Sequence, residues 1–264
     1  MNLKLFQVDA FSNHVFSGNP ACVVPLKTWL SNDILLKIAQ ENAVSETAFF
    51  IDNGKYFELR WFTPDHEIDL CGHATLAAAH VIKSILKRFS SKILFKTMSG
   101  DLVVTFDKGI YYLDFPSRKP DNEILPKEIK LSLNIQPQEV LKSRDFILVY
   151  ESQSQIEEIE ININYFNKIN LGHGGVVVTA RGRYVDFVSR YFTPQATILE
   201  DPVTGSSHCS LVPFWSSRLK KNKLKASQIS RRGGSLICFN KSDRIIIGGK
   251  AITYLKGEIK VDET

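Results

Sequence analysis

Three ionisable residues in this 264-residue chain sit where proton chemistry could be done. Glu46 follows Asn42 and Ser45 and leads directly into the apolar run TAFF. A carboxylate flanked by apolar residues at a strand start has its charged form disfavoured. That raises its pKa and suits a general acid or base near neutral pH. The plainer alternative is a surface glutamate at a strand edge. His73 follows Gly72 at the head of ATLAAAHVI. At a helix N-terminus the dipole opposes the imidazolium, which predicts a neutral hydrogen-bond partner or proton relay. Asp201 lies just before a second such start, Gly205-Ser206-Ser207. It could orient His73 or a substrate amino group, or simply satisfy helix-entry N–H groups.

The two glycine-led helix starts predict backbone N–H groups and positive dipole ends suited to a carboxylate or an enolate-like oxygen. Glycine allows the close approach, and the alternative is that both glycines only pack against strands. Two competing chemistries are weaker. Asp65, His66, Glu67, Asp69, Cys71 and His73 crowd together, but without an H-x-x-x-H or C-x-x-C framework, so no metal is expected. Cys71 and His73 as a thiol pair is disfavoured because residues two apart on one helix start do not face each other.

The elements that must position these residues occur twice. FELRWFTP (57–64) is answered by FVSRYFTP (187–194), with Arg60 and Arg190 130 residues apart. Gly72 comes eight residues after Pro64, and Gly205 eleven after Pro194. The two stretches match if Glu200-Asp201-Pro202 lies in a three-residue insertion. Further on, MSGDLVVTF answers RGGSLICFN. Strands are predicted at FQVDAF, ACVVPL, TAFFID, YFELRWF, KILFKT, DLVVTF and IYYLDF, and again at DFILVY, VVVTA, YVDFVSRYF, SLICF, RIIIGG and ITYLKGEIKV. Helices are predicted over Asn32–Glu41, capped by Ser31 or Asn32, over Gly72–Arg88, and over Gly205–Leu219. The fold class is α+β, with two pseudo-symmetric domains, residues 1–117 and 128–264, joined by a proline-rich linker at 118–127.

Composition narrows the class further. The chain is 44% hydrophobic and 23% charged, which excludes disorder, collagen and coiled coil. No apolar stretch reaches membrane-spanning length, and the start lacks a signal-peptide pattern, so the expected setting is cytoplasmic. Cys22, Cys71, Cys209 and Cys238 have no C-x-x-C spacing and read as free thiols. The net charge is +5, densest over Arg218–Lys225 and Arg231-Arg232. With no aromatics interleaved, this segment reads as a helix end and a solvated loop rather than a nucleic-acid patch.

QVDAFSNHVFSGNPACVV, ENAVSETAFF, RWFTPDHEIDLCGHATLAAAH and EDPVTGSSHCS together resemble the PhzF family of phenazine-biosynthesis-type isomerases, which share the diaminopimelate epimerase-like fold. The resemblance spans most of the chain in order. It implies two mirrored domains, each a barrel-like sheet around a central helix, with the active site in the cleft between them. It also implies a cofactor-independent reaction and a homodimer. Glu46 falls at the family's catalytic glutamate, Gly72-His73 at its substrate-binding pair, and Asp201, Gly205 and Ser206 at its D-P-x-T-G-S segment. Asn19 and Ser45 are extended from SGNPA and SET as substrate contacts.

Epimerases of this fold use one cysteine from each half. Cys71 stands at the first position, while the second is expected near Pro202, which carries no proton. A single base moving a proton between two carbons is therefore expected, and an isomer as product. The namesake's substrate is a dihydro-hydroxyanthranilate; the substrate class expected here is a small unsaturated amino- or hydroxy-carboxylate. The rivals are an amino-acid epimerase or racemase and a catalytically silent metabolite-binding member.

Overall fold

The computed structural model describes residues 1–88 and 91–262. They form two compact units: residues 1–114 with 248–264, and residues 115–247. The expected second half, 128–264, is corrected at its end. The final strand pairs residue by residue with the first strand, Asn2 with Lys260 through to Ala10 with Ala251, so the last segment belongs to the first unit.

In the first unit the elements are β1 (Asn2–Ala10), β2 (Asn19–Leu26), α1 (Asn32–Asn42), β3 (Glu46–Asp52), β4 (Phe57–Phe62), β5 (Glu67–Ile68), α2 (Gly72–His80), β6 (Lys92–Thr97), β7 (Gly100–Asp107) and β8 (Ile110–Pro116). Ser31 caps α1, its hydroxyl accepting from the Ile34 N–H, and Ala43 closes it in the left-handed region. The parallel crossover β2–α1–β3 is followed by antiparallel β4, and a second parallel crossover runs from β4 through α2 to β6.

α2 is shorter than the expected Gly72–Arg88 helix, because Val81–Ile85 continues it as one π-helical turn. Nor does it have a single apolar face. Every residue from Gly72 to Ala79 is buried, as a helix enclosed by strands requires. The alanines at 74, 77, 78 and 79 keep it thin enough for β1, β2 and β3 to pack against it.

The second unit contains β9 (Asp121–Asn122), α3 (Lys127–Ser132), β10 (Glu139–Lys142), β11 (Phe146–Val149), α4 (Gln153–Glu157), α5 (Ile163–Phe166), β12 (Val176–Arg181), β13 (Phe187–Phe192), β14 (Glu200–Asp201), α6 (His208–Leu219), β15 (Lys223–Gln228), β16 (Gly234–Lys241) and β17 (Arg244–Gly249), whose last two residues fall in the first unit, and β18 (Ala251–Lys260) completes the chain there. The pairing order repeats that of the first unit. β11 is parallel to β12, β12 antiparallel to β13, β13 parallel to β15, and β15 antiparallel to β16.

The predicted linker is not a free connection. Arg118 N donates to Cys209 O at 2.9 Å, the carbonyl that Pro213, lacking an N–H, leaves unmatched inside α6. Asp121 and Asn122 pair with β10. The unit's core is built from Ile129, Phe146, Leu148, Ile156, Phe166, Val178 and neighbours.

Candidate active site

The repeat is exact enough in geometry to align the two helix starts residue by residue. Phe62 pairs with Glu67 in the first unit and Phe192 with Glu200 in the second. Arg60 grips Glu67 with two hydrogen bonds of 2.6 Å, and Arg190 grips Glu200 at 2.7 and 2.9 Å. These forked, charge-assisted contacts fix both turns before the helices. Glu67 and Glu200 each stand five residues before a glycine, Gly72 and Gly205. The three-residue insertion therefore lies between Thr193 and Glu200, not at Glu200-Asp201-Pro202. The position matching Cys71 is Thr204, which corrects the expected Pro202.

In the first unit, strand and helix starts bring Glu46, His73, Asn19 and Cys71 together. Glu46 opens β3 and its Oε2 lies 2.8 Å from His73 Nε2, off the line of a straight hydrogen bond. Its side chain keeps 14% of its surface exposed, against 3% for His73. The Asn19 amide, fully buried at the start of β2, lies 3.1 Å from His73 Nδ1. Cys71 Sγ approaches the same nitrogen at 3.5 Å. The expectation that Cys71 and His73 cannot face each other is corrected. Cys71 is the N-cap, extended at φ −137°, so its side chain turns back across the first helical residues.

Burial pushes the His73 pKa down, while its neighbours Cys71 and Glu46 push it up and prevail, so that it lies above the usual 6.5. Burial, with Glu46 adding to it, pushes the Cys71 thiol up. Gly72 begins α2, and Ser45 lies half-buried in the bend before β3.

Among the described residues, Glu46, Cys71 and His73 carry ligand-type atoms within 4.8 Å of one another and could hold a metal ion. The carboxylate faces Nε2 and the sulfur faces Nδ1, so one ion could not join all three without a side-chain rotation. The other crowded residues disperse: Glu67 goes to Arg60, and Asp69 accepts from Ser99.

In the second unit, Asp201 ends β14, and its Oδ2 accepts from Thr204 Oγ1 at 2.5 Å. Gly205, Ser206 and Ser207 form a tight turn before α6 rather than its first residues, with His208 N donating to Gly205 O and Cys209 N to Ser206 O. Ser206 is buried there. Thr204 and the buried Gln228, which donates to Asp201 O, were not singled out by sequence reasoning. Thr204 stands inside the recognised D-P-x-T-G-S segment, whereas Gln228 gives no signal of its own in an alternating strand.

The basic segment begins as the expected end of α6, with Lys220 as its left-handed cap, but the expected solvated loop is corrected: Lys223–Lys225 open β15, with Leu224 buried and the lysines on either side of it. Arg218 pairs with Glu139 and Lys221 with Asp186. The fold does bring an aromatic to it: exposed Tyr184 lines the same surface cavity as Lys221, Lys223 and Lys225. No helix among the described residues is long and apolar enough to cross a membrane.

The phenazine biosynthesis-like protein family, PhzC-PhzF, matches residues 8–257. Two uncharacterized isomerases of Pseudomonas aeruginosa are each 43% identical, one over 98% of this chain and 99% of its own length, the other over 99% and 100%. The crystal structure of a PhzF-family phenazine biosynthesis protein from Enterococcus faecalis superposes with a TM-score of 0.93 at 43% identity, covering 99% of this chain and 100% of that one. A hydroxyproline epimerase from Agrobacterium vitis shares the fold alone, at TM-score 0.61 and 10% identity over 99% of this chain and 93% of that one. The fold is thus the two-domain, epimerase-like α+β fold. With the family match running through both units, the chain belongs to the PhzF-type, phenazine biosynthesis-like family and is an isomerase.

Proposed function

We propose that this isomerase relocates a proton within a small unsaturated amino- or hydroxy-carboxylate, with Glu46 as general acid and base and no cofactor. The observation that carries the reading is the Glu46–His73 pair, a carboxylate held 2.8 Å from an imidazole ring at the mouth of a buried helix start. Oε2 faces His73, so exchange with substrate falls to Oε1. Asn19 and Cys71 fix the ring from its other nitrogen. Gly72, Gly205, Ser206 and Ser45 are assigned to substrate binding, and Asp201 to orienting the substrate and relaying its proton.

The test is proton NMR in D2O with a panel of unsaturated amino- and hydroxy-carboxylates, including the dihydro-hydroxyanthranilate. The expected result is a product isomer or site-specific deuterium wash-in that Glu46→Gln reduces at least 100-fold. An active Glu46→Gln protein sinks the assignment. Ligand-dependent thermal stabilisation without exchange would instead identify a silent binding member.

Epimerisation is the second reading, favoured by the contact of the Cys71 thiol with His73. Against it, the matching position in the second unit carries Thr204, whose hydroxyl is a far weaker acid than a thiol. Deuterium at a chiral Cα with loss of optical rotation would identify an epimerase. The four free, buried cysteines support a cytoplasmic setting, and family resemblance supports a homodimer.

A further inference from the structure

We infer that Thr204 and Gln228 are positioning residues that hold the Asp201 carboxylate in one orientation and direct a single hydroxyl proton onto it. The inference rests on the assignment of Asp201 to the reaction.

Gln228 ends β15 with its side chain wholly buried. Its amide is used at both ends on one short loop. Oε1 accepts from Thr204 N at 2.9 Å, while Nε2 donates to Asp201 O at 2.7 Å and to Thr204 Oγ1 at 3.2 Å. A neighbouring hydroxyl, Ser230 Oγ, donates to Pro202 O at 2.8 Å. The main chain from Asp201 to Thr204 is therefore held at three points.

The direction of the Thr204 hydroxyl follows from its inventory. A hydroxyl has one proton to give and accepts through its lone pairs. Gln228 Nε2 has no acceptor capacity, so at Thr204 Oγ1 it occupies a lone pair. The hydroxyl proton must then go to Asp201 Oδ2, 2.5 Å away. Donation from the amide also polarises the hydroxyl and strengthens what it gives onward. This is the place that mirrors Cys71, so one half of the repeat sets a thiol against an imidazole and the other a hydroxyl against a carboxylate.

A merely structural clamp would hold the loop but leave the carboxylate's ionisation untouched. A donated hydrogen bond favours the ionised form, so its loss must raise the carboxyl titration midpoint. A titratable group that faces Asp201 is Tyr191, its partner across the strands, whose hydroxyl donates to Asp145 beside Arg144. The full-length protein, labelled with carboxyl-13C aspartate, gives that midpoint directly, the Asp201 signal being the one missing in Asp201→Asn. Thr204→Val should raise the midpoint by about one unit and Gln228→Met should raise it too, whereas Thr204→Ser should leave it in place. A Thr204→Val midpoint equal to the unsubstituted protein's, or an equal rise in Thr204→Ser, overturns the inference. If the valine variant does not fold, the unsubstituted protein decides. The Thr204 hydroxyl proton should appear as a downfield, exchange-protected signal, and a rapidly exchanging one overturns the inference. Failure of the parent reading looks different: Asp201→Asn would retain full deuterium exchange on the carboxylate panel whatever the midpoints do.

Discussion

His73 is placed where two electrostatic influences oppose each other. The start of α2 presents about half a positive charge, usually worth no more than about 2 kcal/mol against a cation there. The Glu46 carboxylate is a whole charge 2.8 Å away, on the order of 4–6 kcal/mol in a medium of effective dielectric near 20. Cys71 and the carboxylate together outweigh the dipole and burial, and the His73 pKa lies above its ordinary value of 6.5. Two consequences can be measured at this one residue. In imidazole 15N NMR, Glu46→Gln should bring the His73 midpoint down, because burial then meets a weaker opponent; an unchanged midpoint would show that Cys71 alone sustains the charge. The stability linkage has a definite sign. A histidine pKa raised on folding contributes stability that is full below the unfolded value of about 6.5 and lost as pH rises through the raised folded value. Denaturant unfolding from pH 6 to 9 should therefore show a declining term that His73→Gln abolishes. None of this was readable from Gly72-His73 alone, since the sequence does not show that Glu46 lies on the ring.

Among the elements, the aromatic and β-branched strands, α1 and the start of α2 were legible because such runs and a serine cap act locally, whereas the lysine-rich β15 read as a loop. The placement of the insertion was not, although EIDLCG and EDPVTG, each beginning with glutamate and ending with glycine, carried the signal. It becomes evident only once Arg60–Glu67 and Arg190–Glu200 are seen as the same forked contact. The segment from 127 to 166 was also illegible, because its three helices run six residues or fewer and owe their existence to packing rather than periodicity. The helix starts themselves are tied back alike. Thr75 Oγ1 donates to Cys71 O, and His208 Nδ1 to Thr204 O. Using an imidazole for that role has a cost at low pH. Burial holds His208 down to about 4, so between about 4 and 6.5 the unfolded chain binds a proton that the folded one refuses. Stability should fall as pH drops through that window. His80, also held to about 4 by burial and then Lys256, adds to the same slope. Urea unfolding at pH 7 and 4.5 should give a difference that His208→Gln narrows by about 2 kcal/mol. A difference unaffected by the substitution would mean that His208 is protonated in the folded state.

At the scale of the whole chain, the duplication visible in sequence is not a simple division into halves. A split near residue 117 follows the repeat, but strand pairing does not respect it. β18 supplies the partner that β1 needs on one edge, with β2 on the other. A chain cut after 117 would leave β1 as an open edge and α2, buried around its circumference, without one of the strands that covers it. The chain ends offer a remedy, because Met1 and Val261 exchange backbone hydrogen bonds, Met1 N donating to Val261 O at 2.5 Å and Val261 N to Met1 O at 2.9 Å. Residues 248–262 joined through an Asn-Gly turn to residues 1–114 would restore the first unit as one continuous chain, the turn closing an antiparallel pair already in register. This rearranged chain should unfold cooperatively with dispersed NMR resonances, whereas residues 1–117 alone should aggregate or remain molten. If 1–117 folds equally well, the C-terminal strand is an accessory to the first unit, and the boundary drawn from the repeat is the physical one.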